Sequence, residues 1–174
     1  MNAKEKKSKL TQGRLQDVLD YNPITGSFSW KEPPHPSASN ISIGGVAGAV
    51  ENNGYIRICI DRERHQAHRL AWLYVHGHWP ESKLDHIDTN KVNNAISNLR
   101  LASPSQNSAN RKVGSDNKLG IKGVRLHECG RYVARIMVRG EAKYLGLYPT
   151  KEAAFSAYEE AAVSAFGEYA RVSR

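Results

Sequence analysis

The chain has 174 residues, enough for one domain or two small ones, each building its core from a limited stock of apolar side chains. A total of 25 lysines and arginines against 17 acidic residues gives a formal net charge of +8, the balance expected of a protein whose partner is a polyanion such as nucleic acid. Cys59 and Cys129 stand far apart with no CxxC spacing, which argues against a structural zinc site or a disulfide framework and predicts free thiols in a reducing cytoplasm; no apolar run is long enough to cross a bilayer, so no membrane role follows.

After a basic tail containing Lys4, Lys6, Lys7 and Lys9, the residues Leu15, Val18 and Leu19 fall on one face of a short helix that ends at Tyr21-Asn22-Pro23. The Asn22-Pro23-Ile24-Thr25-Gly26 turn leads into Ser27-Phe28-Ser29-Trp30, which alternates polar and aromatic residues as a half-buried strand does. Residues 31–45 are rich in Pro, Ser, Asn and Gly and read as a loop. Residues 46–50 and 55–60 form two strands around Asn52-Asn53-Gly54, a turn of residues that tolerate positive φ. Leu70, Ala71, Leu73, Tyr74 and Val75 then mark a helix over 67–76, stopped by Gly77 and Trp79-Pro80.

In Leu84-Asp85-His86-Ile87-Asp88 an acid and an imidazole lie side by side near the end of a strand, pointing to opposite faces. Asn98-Leu99-Arg100 reads as the return strand, and Ser103-Pro104 as a helix start with a hydroxyl N-cap and proline at the first helical position. Phosphodiester hydrolysis needs an activated water, a hard cation and oxygen ligands to hold it. Asp85 and Asn107 can supply the oxygens, and His86, neutral near physiological pH, can accept the proton of the attacking water. Any one of these residues alone is more often a turn former or a surface group; their joint spacing on a strand, loop, strand, helix frame is what carries weight.

The residues 111–119 have no periodic apolar face and read as a seam. Beyond it, three strand-like runs over 121–148 break at Glu128-Cys129-Gly130 and Gly140-Glu141, and an alanine-rich helix runs from Thr150, its N-cap, to Phe166. In the middle run Tyr132, Ala134, Ile136 and Val138 share one face while Arg131, Arg135 and Arg139 share the other; in the preceding run Val124 and Leu126 point inward, Arg125 and His127 outward. A small sheet backed by one helix, with arginines on its bare face, can enter a major groove and reach phosphates and guanine edges.

Two resemblances attach to these residues. From His68-Arg69-Leu70-Ala71 through Asp85-His86-Ile87-Asp88, Asn93-Asn94, Asn98-Leu99-Arg100 and Ser105-Gln106-Asn107 the sequence resembles the HNH (ββα-metal) nucleases, in the branch of phage homing and nicking endonucleases. The resemblance implies that Asp85 and Asn107 are the metal ligands, that His86 is the general base, and that Asn98 ties the loop and helps orient the histidine. The last His of the family name is Asn107 here, which favours Mg²⁺ or Mn²⁺ over metals that prefer imidazole. The stretch Gly123-Val124-Arg125, Tyr144-Leu145-Gly146 and 150–158 resembles the AP2 DNA-binding domain. It implies a three-stranded antiparallel sheet in the major groove with a helix behind it, and Lys122, Arg125, His127, Arg135 and Tyr144 at DNA-facing positions. Cys129, Met137 and Ala142 depart from that family, so its base preference does not transfer.

The expectation is an α+β chain: a tail, short helix and hairpin over 1–45, an HNH core over 46–111, a linker over 112–118 and an AP2-like domain over 119–174. Its expected function is metal-dependent hydrolysis of double-stranded DNA by a monomeric, site-specific nicking or homing-type enzyme in the cytoplasm, that of the host cell if the chain is phage-encoded. The alternative is a non-catalytic DNA-binding regulator on a nuclease scaffold.

Overall fold

Thr11 opens the first helix, α1 (Gln12–Val18), by accepting the Arg14 amide proton on its hydroxyl, and the helix buries Leu15 and Val18. The computed structural model describes residues 10–35, 37–38, 41–114 and 117–172; the basic tail expected before Leu10 lies outside them. The chain forms two compact units, residues 1–100 and 101–174.

In the first unit, β1 (Leu19–Tyr21) and β2 (Phe28–Trp30) pair antiparallel around the Asn22 turn, burying Leu19, Tyr21, Phe28 and Trp30. A second sheet has the order β3 (Ala49–Val50), β4 (Ile56–Ile60), β5 (Glu63–Gln66). The strand β5 was not legible from apolar alternation, because Glu63-Arg64-His65-Gln66 buries only His65. The turn before it, Asp61-Arg62, takes φ values of 49° and 67°, a left-handed pair that carries neither Gly nor Asn. Next, α2 (Ala67–His76) buries Ala67, His68, Leu70, Ala71 and Leu73 and ends on Gly77 in the left-handed conformation, as expected. These apolar side chains meet those of α1, β1, β2 and β4 in one core. The strand β6 (Lys83–His86) pairs with β7 (Leu99–Ala102), and the boundary between the units falls inside β7.

In the second unit, α3 (Pro104–Asn110) starts with a full capping box: Ser103 accepts the Gln106 amide proton and the Gln106 side chain accepts that of Ser103. The sheet β8 (Val124–Leu126), β9 (Tyr132–Val138), β10 (Glu141–Tyr148) is antiparallel with β9 central. Helix α4 (Lys151–Phe166), capped by Thr150, packs Ala154, Phe155, Tyr158 and Ala162 onto Val124, Ala134 and Ile136. Gly123, at φ 72°, lets the backbone meet the Tyr158 ring, since a Cβ there would lie 2.1 Å from it.

The compact units part at Arg100/Leu101, ahead of the expected 112–118 linker. The reason is the way α3 is held. Ala109 belongs to the second apolar core. The Tyr169 hydroxyl donates to the Leu101 carbonyl at 2.8 Å, and Arg171 N–H to the Ala109 carbonyl at 3.3 Å. Among the described residues no helix is long and apolar enough to cross a membrane.

Candidate active site

Asp85 and His86 end β6, and both are 5% exposed. The Arg100 guanidinium grips one Asp85 oxygen, with Nε at 3.1 Å and Nη2 at 3.0 Å. The ion pair and its hydrogen bond offset the cost of taking the two groups out of water. Arg100 lies on β7 and is the last residue of the first unit.

The side chains of Asn94, His68 and Tyr55 stand against the His86 imidazole. Its Nε2 lies 3.1 Å from Asn94 Oδ1, the His68 ring stands edge-on at 5.1 Å, and the Tyr55 ring lies at 5.9 Å. Burial pushes the His86 pKa down, against the opposing pull of the Asn94 bond, Asp88 and Asp85, so the ring is neutral at physiological pH and able to accept a proton. His68, buried at 6% exposure, is pushed down to about 3 by burial and by the neighbouring His86, and its Nδ1 has no hydrogen-bond partner among the described residues. Tyr55 also carries the Lys91 ammonium over its ring at 4.8 Å, while Lys91 donates to the Asn53 carbonyl.

Asn98 closes the loop that follows β6. Its Oδ1 accepts the Asp88 N–H at 3.0 Å, and its Nδ2 donates to Asp88 Oδ1 at 2.9 Å and to the Asn93 carbonyl at 2.8 Å. Ile87 N–H donates to the Asn98 carbonyl at 2.9 Å. Burial pushes the Asp88 carboxyl up, but hydrogen bonds from Asn93, Asn90 and Asn98 outweigh it and hold the group below the usual carboxylate range. Asn98 thus bonds across the loop, and the amide oxygen that faces His86 Nε2 is that of Asn94. Asn94, Arg100, His68 and Tyr55 had no catalytic reading in the sequence; the doubled Asn93-Asn94 was the available signal.

Asn107 lies half-buried on α3 in the second unit. The other expected nucleic-acid residues are in that unit too. Register places Arg125 opposite Val133 and Tyr144 opposite Arg135, so Arg125, Arg135 and Tyr144 share the sheet face opposite α4, and all three are exposed. The exposed His127 follows on, its Nδ1 taking the Cys129 N–H at 3.3 Å. Three expected residues are placed differently. Lys122 turns its ammonium to the carbonyls of Ser108, Ala109 and Arg111 at the end of α3, and burial with Arg171 and Arg111 nearby lowers its pKa to about 8. It serves as a helix cap. Arg131 and Arg139 lie just outside β9: Arg131 reaches the Leu147 carbonyl at 3.2 Å, and Arg139 sits in the β9–β10 turn at φ 53°.

This arrangement of a buried acid and a neutral imidazole on one strand, closed by an asparagine loop, coincides with a match to a known family. Residues 65–109 match the family model for HNH endonucleases. The HNH segment thus runs from β5 to α3 and takes in Asp85, His86, Asn98 and Asn107. The uncharacterized HNH endonuclease L560 of Acanthamoeba polyphaga mimivirus is 38% identical over 115 residues, 65% of this chain and 59% of that protein. Protein 3.8 of Escherichia phage T7 is 43% identical over 58 residues, 33% of this chain and 48% of its own length. The chain therefore spans less than two thirds of either relative. A solved structure of the HNH homing endonuclease I-HmuI aligns with 80% of this chain and 76% of its own, at 22% identity and a TM-score of 0.40, too loose a likeness to transfer geometry.

The donor chemistry suits a hard cation. Asp85 offers a carboxylate and Asn107 an amide oxygen, and among the described residues no group of three or more His, Cys, Asp or Glu side chains could hold a metal.

Proposed function

We propose that the protein is a DNA endonuclease that hydrolyses phosphodiester bonds in double-stranded DNA, with His86 as general base. The observation that carries this reading is the neutral, enclosed His86 next to the Arg100-held Asp85 within the HNH segment. Asp85 and Asn107, by their places in that segment, hold a divalent cation, Mg²⁺ or Mn²⁺, which when bound neutralises charge on the scissile phosphate and the departing 3′ oxygen. His86 takes a proton from the attacking water. Arg100 holds the Asp85 side chain in place, and Asn98 keeps the β6–β7 loop closed so that Asp85 and His86 stay at the strand end.

DNA is held, in this reading, partly by the exposed face of the C-terminal sheet, where Arg125, Arg135 and Tyr144 offer two guanidinium groups and an aromatic ring. The AP2-like role and the site-specific, nicking character belong to the same proposal. The test is incubation of supercoiled DNA from the source genome with the protein in Mg²⁺, Mn²⁺ or EDTA. Cutting should need the divalent ion and vanish in His86→Ala and Asp85→Ala, while duplex binding changes by no more than a few fold, since affinity lies mainly in phosphate contacts elsewhere. Equal cutting by His86→Ala would remove the base from the mechanism. Binding without any cutting would favour a regulator on a nuclease scaffold.

A further inference from the structure

The reading of His86 as base leaves open what fixes the imidazole, and the side chain that does so lies eight residues downstream. Asn94 is 0% exposed, and its Oδ1 stands 3.1 Å from His86 Nε2. The direction of this bond follows from the other end of the amide: Nδ2 donates to the Val92 carbonyl at 3.4 Å. A flipped amide would set its oxygen against that carbonyl, two acceptors facing each other. Oδ1 therefore faces the ring, and Nε2 must be the protonated nitrogen that donates to it.

The Asn94 backbone is itself held from far away in the sequence. The Tyr21 hydroxyl donates to the Asn94 carbonyl at 2.7 Å in a buried bond that spans 73 residues. Ile96 N–H donates to the Pro23 carbonyl at 3.3 Å. Gly26, at φ 73°, lies so close that a Cβ there would come within 2.2 Å of the Asn94 carbonyl carbon. The Asn22–Gly26 turn between β1 and β2 is thus pressed against the Asn94-Ala95 peptide. With the His68 and Tyr55 rings against the imidazole, rotation of His86 is blocked by packing as well as by the hydrogen bond.

We propose that Asn94, braced by the N-terminal β1–β2 hairpin, is the positioning residue for His86: it accepts the Nε2 proton and fixes the tautomer in which Nδ1 carries the lone pair. Two asparagines divide the work. Asn98 ties the loop, and Asn94 sets the ring. The inference rests on the proposed role of His86, and the two can fail separately.

The first measurement is made on the full-length wild-type protein, by ¹⁵N NMR of labelled histidine above the ordinary imidazole range, with the His86 signals assigned by their loss in His86→Gln. The expected pattern is a protonated Nε2 and a lone-pair Nδ1; the opposite tautomer would overturn the proposal. The second is steady-state cleavage. Asn94→Ala should lower kcat on the order of 100-fold with KM and duplex affinity little changed, because only proton transfer is affected. Asn94→Asp keeps the acceptor and should restore the tautomer together with part of kcat. A folded Asn94→Ala protein with wild-type kcat would overturn the proposal, and if that variant does not fold the wild-type tautomer decides. Unimpaired cutting by His86→Gln would instead sink His86 as the base, whatever tautomer it shows.

Discussion

Asp85 and His86 were legible only together with Asn98 and Asn107, through their joint spacing on a strand, loop, strand, helix frame. Their supports were not, because Arg100 and Asn94 become neighbours only when β6 and β7 pair and the loop closes. Arg100→Met leaves the Asp85 carboxylate buried without its guanidinium, which should destabilise the first unit by about 3 kcal/mol. Urea denaturation checks this, and adding Asp85→Asn to Arg100→Met should recover most of the loss. His65 and His68 make a second prediction. Burial holds the pKa of each below its unfolded value, so the unfolded chain binds more protons and stability rises with pH through the window between the two values. For His68 that window runs from about 6.5, the free imidazole value, down to about 3. The first unit should therefore weaken on acidification below pH ~6.5, by up to about 1.4 kcal/mol per pH unit for each such histidine. Urea midpoints at pH 7.5 and 5.5 measure the slope, and His68→Phe should reduce it; an unchanged slope would mean that His68 is not held neutral.

Among the elements, helices with marked caps were the easiest to read. Ser103-Pro104, Thr150 and Gly77 are local signals that the structure uses as such. The strand β5 escaped notice because its pairing with β4, Ile58 opposite His65 and Cys59 opposite Arg64, is set by the Asp61-Arg62 turn and not by apolar alternation. The outward face of β9 was read from alternation, but alternation says nothing of where a strand ends, so Arg131 and Arg139 were placed on a face they lie beyond. Lys122 was read as a DNA contact because charge next to a strand is ambiguous from sequence; its three carbonyl acceptors belong to a helix 11 to 14 residues away. Ser103→Ala should cost the second unit about 1 kcal/mol by removing one cap. Lys122→Met should cost about 2 kcal/mol by removing the charged donor shared by the Ser108, Ala109 and Arg111 carbonyls at the end of α3. If thermal melts of Lys122→Met match wild type while DNA affinity falls, the lysine is a contact after all.

For the whole molecule, the motif and the packing divide the chain at different places. The HNH segment ends at residue 109, after α3, whereas the compact units part at Arg100/Leu101. Recognition by motif follows chemistry along the sequence, and packing follows apolar burial, so Ala109 belongs to the second core although Asn107 belongs to the motif. Truncation after residue 118 should therefore leave α3 poorly formed, and the product should fail to cut even at high enzyme concentration. A fragment of residues 101–174 should fold with a cooperative melt and bind duplex DNA with a salt slope that drops by about one unit for each of Arg125→Ala and Arg135→Ala. An unchanged slope would remove that sheet face from the interface. Because the chain carries one Asp85-His86-Asn107 set, a monomer should turn supercoiled plasmid into open circles with linear product late or absent; prompt linear product with a dimer mass in solution would contradict this.

The hydrogen bond from Tyr21 to the Asn94 carbonyl also sets an order of events. A contact between residues so far apart in sequence is rewarded only after the loop-closure entropy between them has been overcome, so it forms late in folding. A newly made or partly frayed chain can hold β6 and α2 and still lack the brace that aligns its imidazole. In rising urea, cleavage should be lost before the far-UV helical signal, and Tyr21→Phe should widen that gap. Coincident loss of both signals would mean that the hairpin and the active strand open as one.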